Sequence, residues 1–142
     1  MDADASKARQ CNISHSEFLA ARGNIDAIIN WVNEGLESVS CPEETRRMID
    51  VATDEIAENI SSYAYGNEGG SIYVDMTVSA GCITLCFKDS GAPFNPLEEK
   101  APDFSDDPKI GGLGIYFVKN IMDELSYEYA GGMNIFTVSK KW

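Results

Sequence analysis

Histidine is almost missing from this sequence: His15 is the only one among 142 residues. The four cysteines, Cys11, Cys41, Cys82 and Cys86, form no C-x-x-C pair. The donor spacing of a zinc site is therefore lacking, and free thiols in a reducing compartment are the plain reading. Basic side chains are scarce too, 11 against 23 acidic ones, which gives a formal net charge of −12. That excludes the basic footprint of a nucleic-acid binder and disfavours docking on anionic membranes. It suits solubility and a partner that carries a basic patch. No apolar run approaches the ~20 residues of a membrane helix. The opening Met1-Asp-Ala-Asp-Ala-Ser also lacks the apolar stretch of a signal peptide, so a cytoplasmic location is expected.

What is present suits one globular domain. Hydrophobic residues make up 44% and charged residues 24%, enough for a core within a soluble surface. Residues 1–12 are small, polar and without periodicity, and read as a flexible N-terminal segment ahead of a single domain over 13–142. A short extended piece is expected at Ile13–Ala20. From Gly23 to Val39 the apolar residues Ile25, Ile28, Ile29, Val32, Leu36 and Val39 recur every third or fourth position, which predicts an amphipathic helix with Asn24 as its cap. Pro42 and two glutamates open a second helix, whose apolar line runs Ile49, Ala52, Ile56, Ile60 and Tyr63. Gly66 to Gly70 ends it.

Alternation over Ser71–Ser79 and Cys82–Lys88, with Ala80-Gly81 between, predicts a hairpin, and Cys82 and Cys86 share one face of its second strand. Residues 89–112 lack periodicity and contain Pro93, Pro96, Pro102 and Pro108. So long a loop in a small domain is usually functional. A third helix is expected over Leu113–Leu125, with Phe117, Ile121 and Met122 as core residues. A second hairpin follows, Tyr127–Ala130 and Met133–Ser139 around Gly131-Gly132. The fold class that results is α+β: a two-layer α/β sandwich, its sheet mixed but mostly antiparallel, with helices on one face.

Three patches carry candidate chemistry. In the second helix Glu55 and Asn59 stand four apart and project from one side beside the buried line. A carboxylate and a carboxamide placed so can hold a hydrated divalent cation or position a nucleophile, although taken alone a solvated helix face is the better explanation. Asp89-Ser90-Gly91 directly follows a strand. The carboxylate can accept from a flat amino-bearing ring and the glycine admits close approach, and a simple turn is the bland alternative. Gly111-Gly112-Leu113-Gly114 opens the third helix, where bare backbone N–H groups can cradle phosphate. Glycines there cost about 1 kcal/mol each in helix propensity, which favours a functional reason. No Gly-Lys-Ser/Thr follows, so this is not a P-loop, and the preceding hairpin excludes a dinucleotide fold.

In this order the patches resemble the GHKL (histidine kinase-like ATPase) superfamily, and within it the bacterial anti-sigma factor serine kinases. The motifs that carry the resemblance are the helix from Val51 to Tyr65, the turn Asp89-Ser-Gly91, and Gly111-Gly-Leu-Gly through Asp123. The resemblance implies an ATP- and Mg²⁺-dependent protein serine/threonine kinase. It would hold a sigma factor inactive and phosphorylate an anti-sigma factor antagonist. Glu55 would be the general base and Asn59 the Mg²⁺ ligand. Asp89 would read the adenine amine, with Gly91 admitting the base. Residues 92–110 would form a lid, and Gly112, Leu113 and Gly114 would hold the phosphates. Lys109 would reach the γ-phosphate, since the lid contains no arginine. Related kinases pair through their sheets, which implies a homodimer, and the stripe Tyr73, Asp75, Thr77 is a candidate surface for it. The acidic, arginine-free lid leaves an alternative, a nucleotide-binding interaction module without kinase activity. A sensor histidine kinase is disfavoured, because His15 lies outside any dimerisation helix pair and reads as a surface residue.

Overall fold

Alternating strands and an apolar helix stripe can bury their faces only against one another, and the chain resolves this by laying its helices on one side of a single sheet. The computed structural model describes residues 11–66, 68–98 and 113–142. The elements are β1 (Cys11–Leu19), α1 (Ile25–Leu36), α2 (Glu43–Tyr63), β2 (Ser71–Ser79), β3 (Cys82–Asp89), α3 (Leu113–Ile121), β4 (Glu124–Ala130) and β5 (Met133–Lys141). Short 3₁₀ turns lie at Arg22–Asn24 and Pro96–Glu98. The sheet order is β1-β2-β3-β5-β4 and every pairing is antiparallel, so the parallel component of a mixed sheet does not occur among the described strands.

Period-two burial sets the sheet's two faces. Ile83, Leu85, Phe87 and Asp89 turn inward from β3, while Cys82, Thr84, Cys86 and Lys88 face out. Ile28, Val32 and Leu36 of α1, with Ile49, Ile56 and Ile60 of α2, close the core over that inner face. Trp31 packs against the core and meets Phe18 edge-on, with ring centroids 6.0 Å apart. On the open face His15, 70% exposed, and Lys88 both bind Asp75, at 2.6 and 2.8 Å. Burial pushes the Asp75 carboxyl up, but the bonds from Lys88 and His15 outweigh it and hold the group below its ordinary value.

Several expectations need correction. Asn24 precedes α1 but does not cap it; its Nδ2 donates to the Leu19 carbonyl at 3.0 Å. The helix runs from Ile25 to Leu36, shorter at both ends than its periodicity suggested. β1 starts at Cys11, paired with Ser79, so it takes in two residues placed in the N-terminal segment. Phe117 is not a core residue: it is 45% exposed, whereas Met122 is buried as expected, together with Ile115 and Val118, and Ile121 packs against the core. α3 stops at Ile121, because Asp123 is claimed by the sheet. Its N–H donates to the Ser139 carbonyl at 2.9 Å, and its carboxylate accepts from Lys141 N at 2.7 Å.

Candidate functional site

The 21-residue helix α2 carries Glu55 and Asn59 one turn apart, on the side that packs against α3. Asn59 lines a cleft of about 220 Å³. The walls are apolar, built from Ile56 and Ile60 of α2, Ile115 of α3 and Phe136 of β5, and Asp89 stands at the end of β3. Among the described residues Asn59 makes no side-chain hydrogen bond, so its carboxamide is available to a ligand.

Asp89 is buried at 5% exposure, and both of its side-chain bonds fall on one oxygen. Oδ1 accepts from Gly91 N at 3.0 Å and from Asn134 Nδ2 at 2.9 Å, leaving Oδ2 without a donor among the described residues. Gly91 is required by its neighbour: a Cβ there would lie 2.2 Å from the Ala64 carbonyl oxygen. Tyr65, just past α2, fixes the same turn from outside. Its hydroxyl donates to the Ser71 carbonyl at 2.5 Å and accepts from Ser90 N at 2.9 Å.

Glu55 does not line the cleft. Its carboxylate lies against the amino end of α3, where a Cβ on Gly114 would come 2.0 Å from Oε2. Burial pushes its pKa up, and the negative charges of Asp54 and Glu58 add to this. The structure thus brings Asn59 and Asp89 together in the cleft lining, with Gly91 packed against Ala64 and hydrogen-bonded to Asp89, and Glu55 and Gly114 close together outside the lining. Lys109, Gly112 and the stretch 99–110 lie outside the described residues, and of Leu113 only its place at the start of α3 is described.

Asn134 was not anticipated. It is 6% exposed at the start of β5, directly opposite Asp89 in the strand register. A signal was present: Asn134, Phe136 and Val138 share the inward phase of the strand, and a carboxamide in that phase calls for partners. Tyr65 carried only the weaker signal of a large aromatic at a helix end.

The donor set fits the nucleotide that the sequence resemblance implies. Asp89 lines a mostly apolar slot and offers an acceptor oxygen that no donor among the described residues takes, as a ring with an exocyclic amine requires. Mg²⁺ keeps several waters and takes one or two protein oxygens beside phosphates, so the free carboxamide of Asn59 suffices as its protein ligand.

Comparison with known proteins bears on the fold and the family. A curated relative, the serine/threonine-protein kinase BtrW of Bordetella bronchiseptica, is 26% identical over 98 residues, or 66% of this chain and 69% of that protein. The fold superposes on the structure of the RsbU and RsbW domains of Rv1364c from Mycobacterium tuberculosis with a TM-score of 0.65 at 15% identity. That match covers 92% of this chain but only 32% of the other, so the chain spans about a third of it. The histidine kinase AdeS of Acinetobacter baumannii matches at a TM-score of 0.50 and 18% identity, over 89% of this chain and 67% of that one. The model of the histidine kinase-like ATPase domain matches residues 18–140, most of the chain, and the protein belongs to that family.

Proposed function

We propose that this protein is an ATP-dependent protein serine/threonine kinase that phosphorylates an anti-sigma factor antagonist and sequesters a sigma factor. The observation that carries the reading is the cleft itself. Asp89 lines it, and its α2 wall carries Asn59, one turn from Glu55 at the amino end of α3. The name of the Bordetella relative supports the reaction class. The net charge of −12 suits a basic partner surface.

ATP with Mg²⁺ supplies the phosphoryl group and neutralises its charge when bound; the residues of this chain bind and position. Asp89 would accept from the base, and Gly91 keeps the turn tight against Ala64. Asn59 would hold the cation. By the resemblance, Gly112, Leu113 and Gly114 would hold the phosphates and Lys109 would reach the γ-phosphate. Glu55 takes the proton from the substrate hydroxyl, and its raised pKa makes it a stronger base than an ordinary glutamate. The open sheet face, where Ile13 and Tyr73 stand exposed, is the surface for a homodimer.

One observation favours the second reading, a binding module without transfer: the Glu55 carboxylate rests on Gly114 outside the cleft lining. Transfer of labelled γ-phosphate to the antagonist decides between them. Wild type should label a serine or threonine, whereas Glu55→Ala should bind ATP and transfer about 10²- to 10⁴-fold more slowly. ATP binding by wild type without transfer would leave the module.

A further inference from the structure

Asn134 spends its whole side chain on one short stretch of backbone and one carboxylate. Nδ2 donates to Asp89 Oδ1 at 2.9 Å and to the Ala92 carbonyl at 2.9 Å, with the Gly91 carbonyl at 3.3 Å sharing a hydrogen. Oδ1 accepts from Phe94 N at 3.0 Å and from the Tyr127 hydroxyl. Two donor hydrogens and two lone pairs are the full capacity of a carboxamide. Only this orientation of the amide sets Nδ2 against oxygens and Oδ1 against donors.

We propose that Asn134 is the positioning residue that makes the cleft selective for an amino-bearing purine. The inference rests on the nucleotide reading above. The χ2 torsion of an aspartate is broad, so a carboxylate held by a single donor would leave its plane undefined. Asn134 and the Gly91 N–H together engage Oδ1 and fix that plane, and Oδ2 has no donor among the described residues. An acceptor in that place rewards an exocyclic amine on the ring and repels a carbonyl oxygen. The same amide ties down Ala92 and Phe94, which line the cleft on its loop side. Neither a serine nor an aspartate would substitute: the first cannot donate twice, and the second would set a negative charge against Asp89.

The test measures binding of ATP, of purine riboside triphosphate (which lacks the 6-amino group) and of inorganic tripolyphosphate to wild type, Asn134→Ala and Tyr127→Phe. Amide hydrogen exchange at Gly91 and Phe94 is followed in the nucleotide-free proteins. Wild type should prefer ATP over the purine analogue, and Asn134→Ala should lose roughly tenfold of that preference, the worth of one hydrogen bond to a charged group. Tripolyphosphate affinity should be unchanged, and exchange at Phe94 should accelerate. Tyr127→Phe, which removes one donor to Oδ1 and leaves the strand intact, should show a smaller loss in the same direction. It decides the matter if Asn134→Ala does not fold. An unaltered preference in either folded variant overturns the proposal. A wild type that treats the two triphosphates alike overturns the nucleotide reading instead. In that event the exchange data decide alone, and unchanged protection of Gly91 and Phe94 in Asn134→Ala refutes the positioning role.

Discussion

Glu55 shows how one side chain couples site chemistry to stability. Burial and the charges of Asp54 and Glu58 raise its pKa in the folded protein above that of the unfolded chain. The folded state therefore binds the proton more tightly. The stabilisation that this gives is complete below about pH 4.3, the ordinary glutamate value, and is lost as pH rises through the folded pKa. Glu55→Gln removes the ionisation. Its Tm should exceed that of wild type at pH 8, and the difference should shrink towards zero at acid pH. Melting curves at a series of pH values check this; a gap that is constant or widens on acidification contradicts it. The same raised pKa should set the acid limb of the transfer rate, with activity rising as Glu55 loses its proton.

At the scale of elements, two glycines make opposite demands on their surroundings. A Cβ at Gly91 would meet the Ala64 carbonyl oxygen at 2.2 Å and its carbon at 2.8 Å, main-chain atoms that cannot swing aside. Gly91→Ala should cost about 1–3 kcal/mol of stability, the usual range for overpacking. In α1, a Cβ at Gly35 would meet Met76 Cε at 2.2 Å and Sδ at 2.7 Å, the movable end of an unbranched side chain. The helix gains about 1 kcal/mol from alanine in place of glycine, so Gly35→Ala should fall within about 1 kcal/mol of wild type. Denaturant titration ranks the pair, and the reverse order would show that the turn, not the helix, yields. Much of this layer was legible in the sequence, because helices and hairpins announce themselves through local period. Glu55 with Asn59, and Asp89 with Gly91, were readable for the same reason: each pair is close in the chain. The end of α3 was not, since pairing of Asp123 and Glu124 with β5 overrides a helical pattern that runs on to Leu125. Nor was Phe117, whose helical spacing gives no hint of which stripe finds cover. Asn134 escaped because its meaning depends on a strand register that joins residues 45 positions apart.

For the molecule as a whole, ligand binding and folding are one equilibrium. A nucleotide that binds only the folded state adds about 2.7 kcal/mol at a concentration 100 times its Kd, worth roughly 5–10 °C in Tm for a chain of this size. ATP with Mg²⁺ should produce such a shift and GTP a much smaller one; equal shifts would argue against an amine-reading carboxylate at Asp89. The sheet order gives this linkage a direction in time. Asp89 ends β3, but its partner arrives only with β5, after α3 and β4 have been made. A chain still emerging from the ribosome would thus carry the carboxylate without the amide that aims it. Cellular ATP would shelter a chain in which β5 has paired and offer nothing to one cut short before that strand.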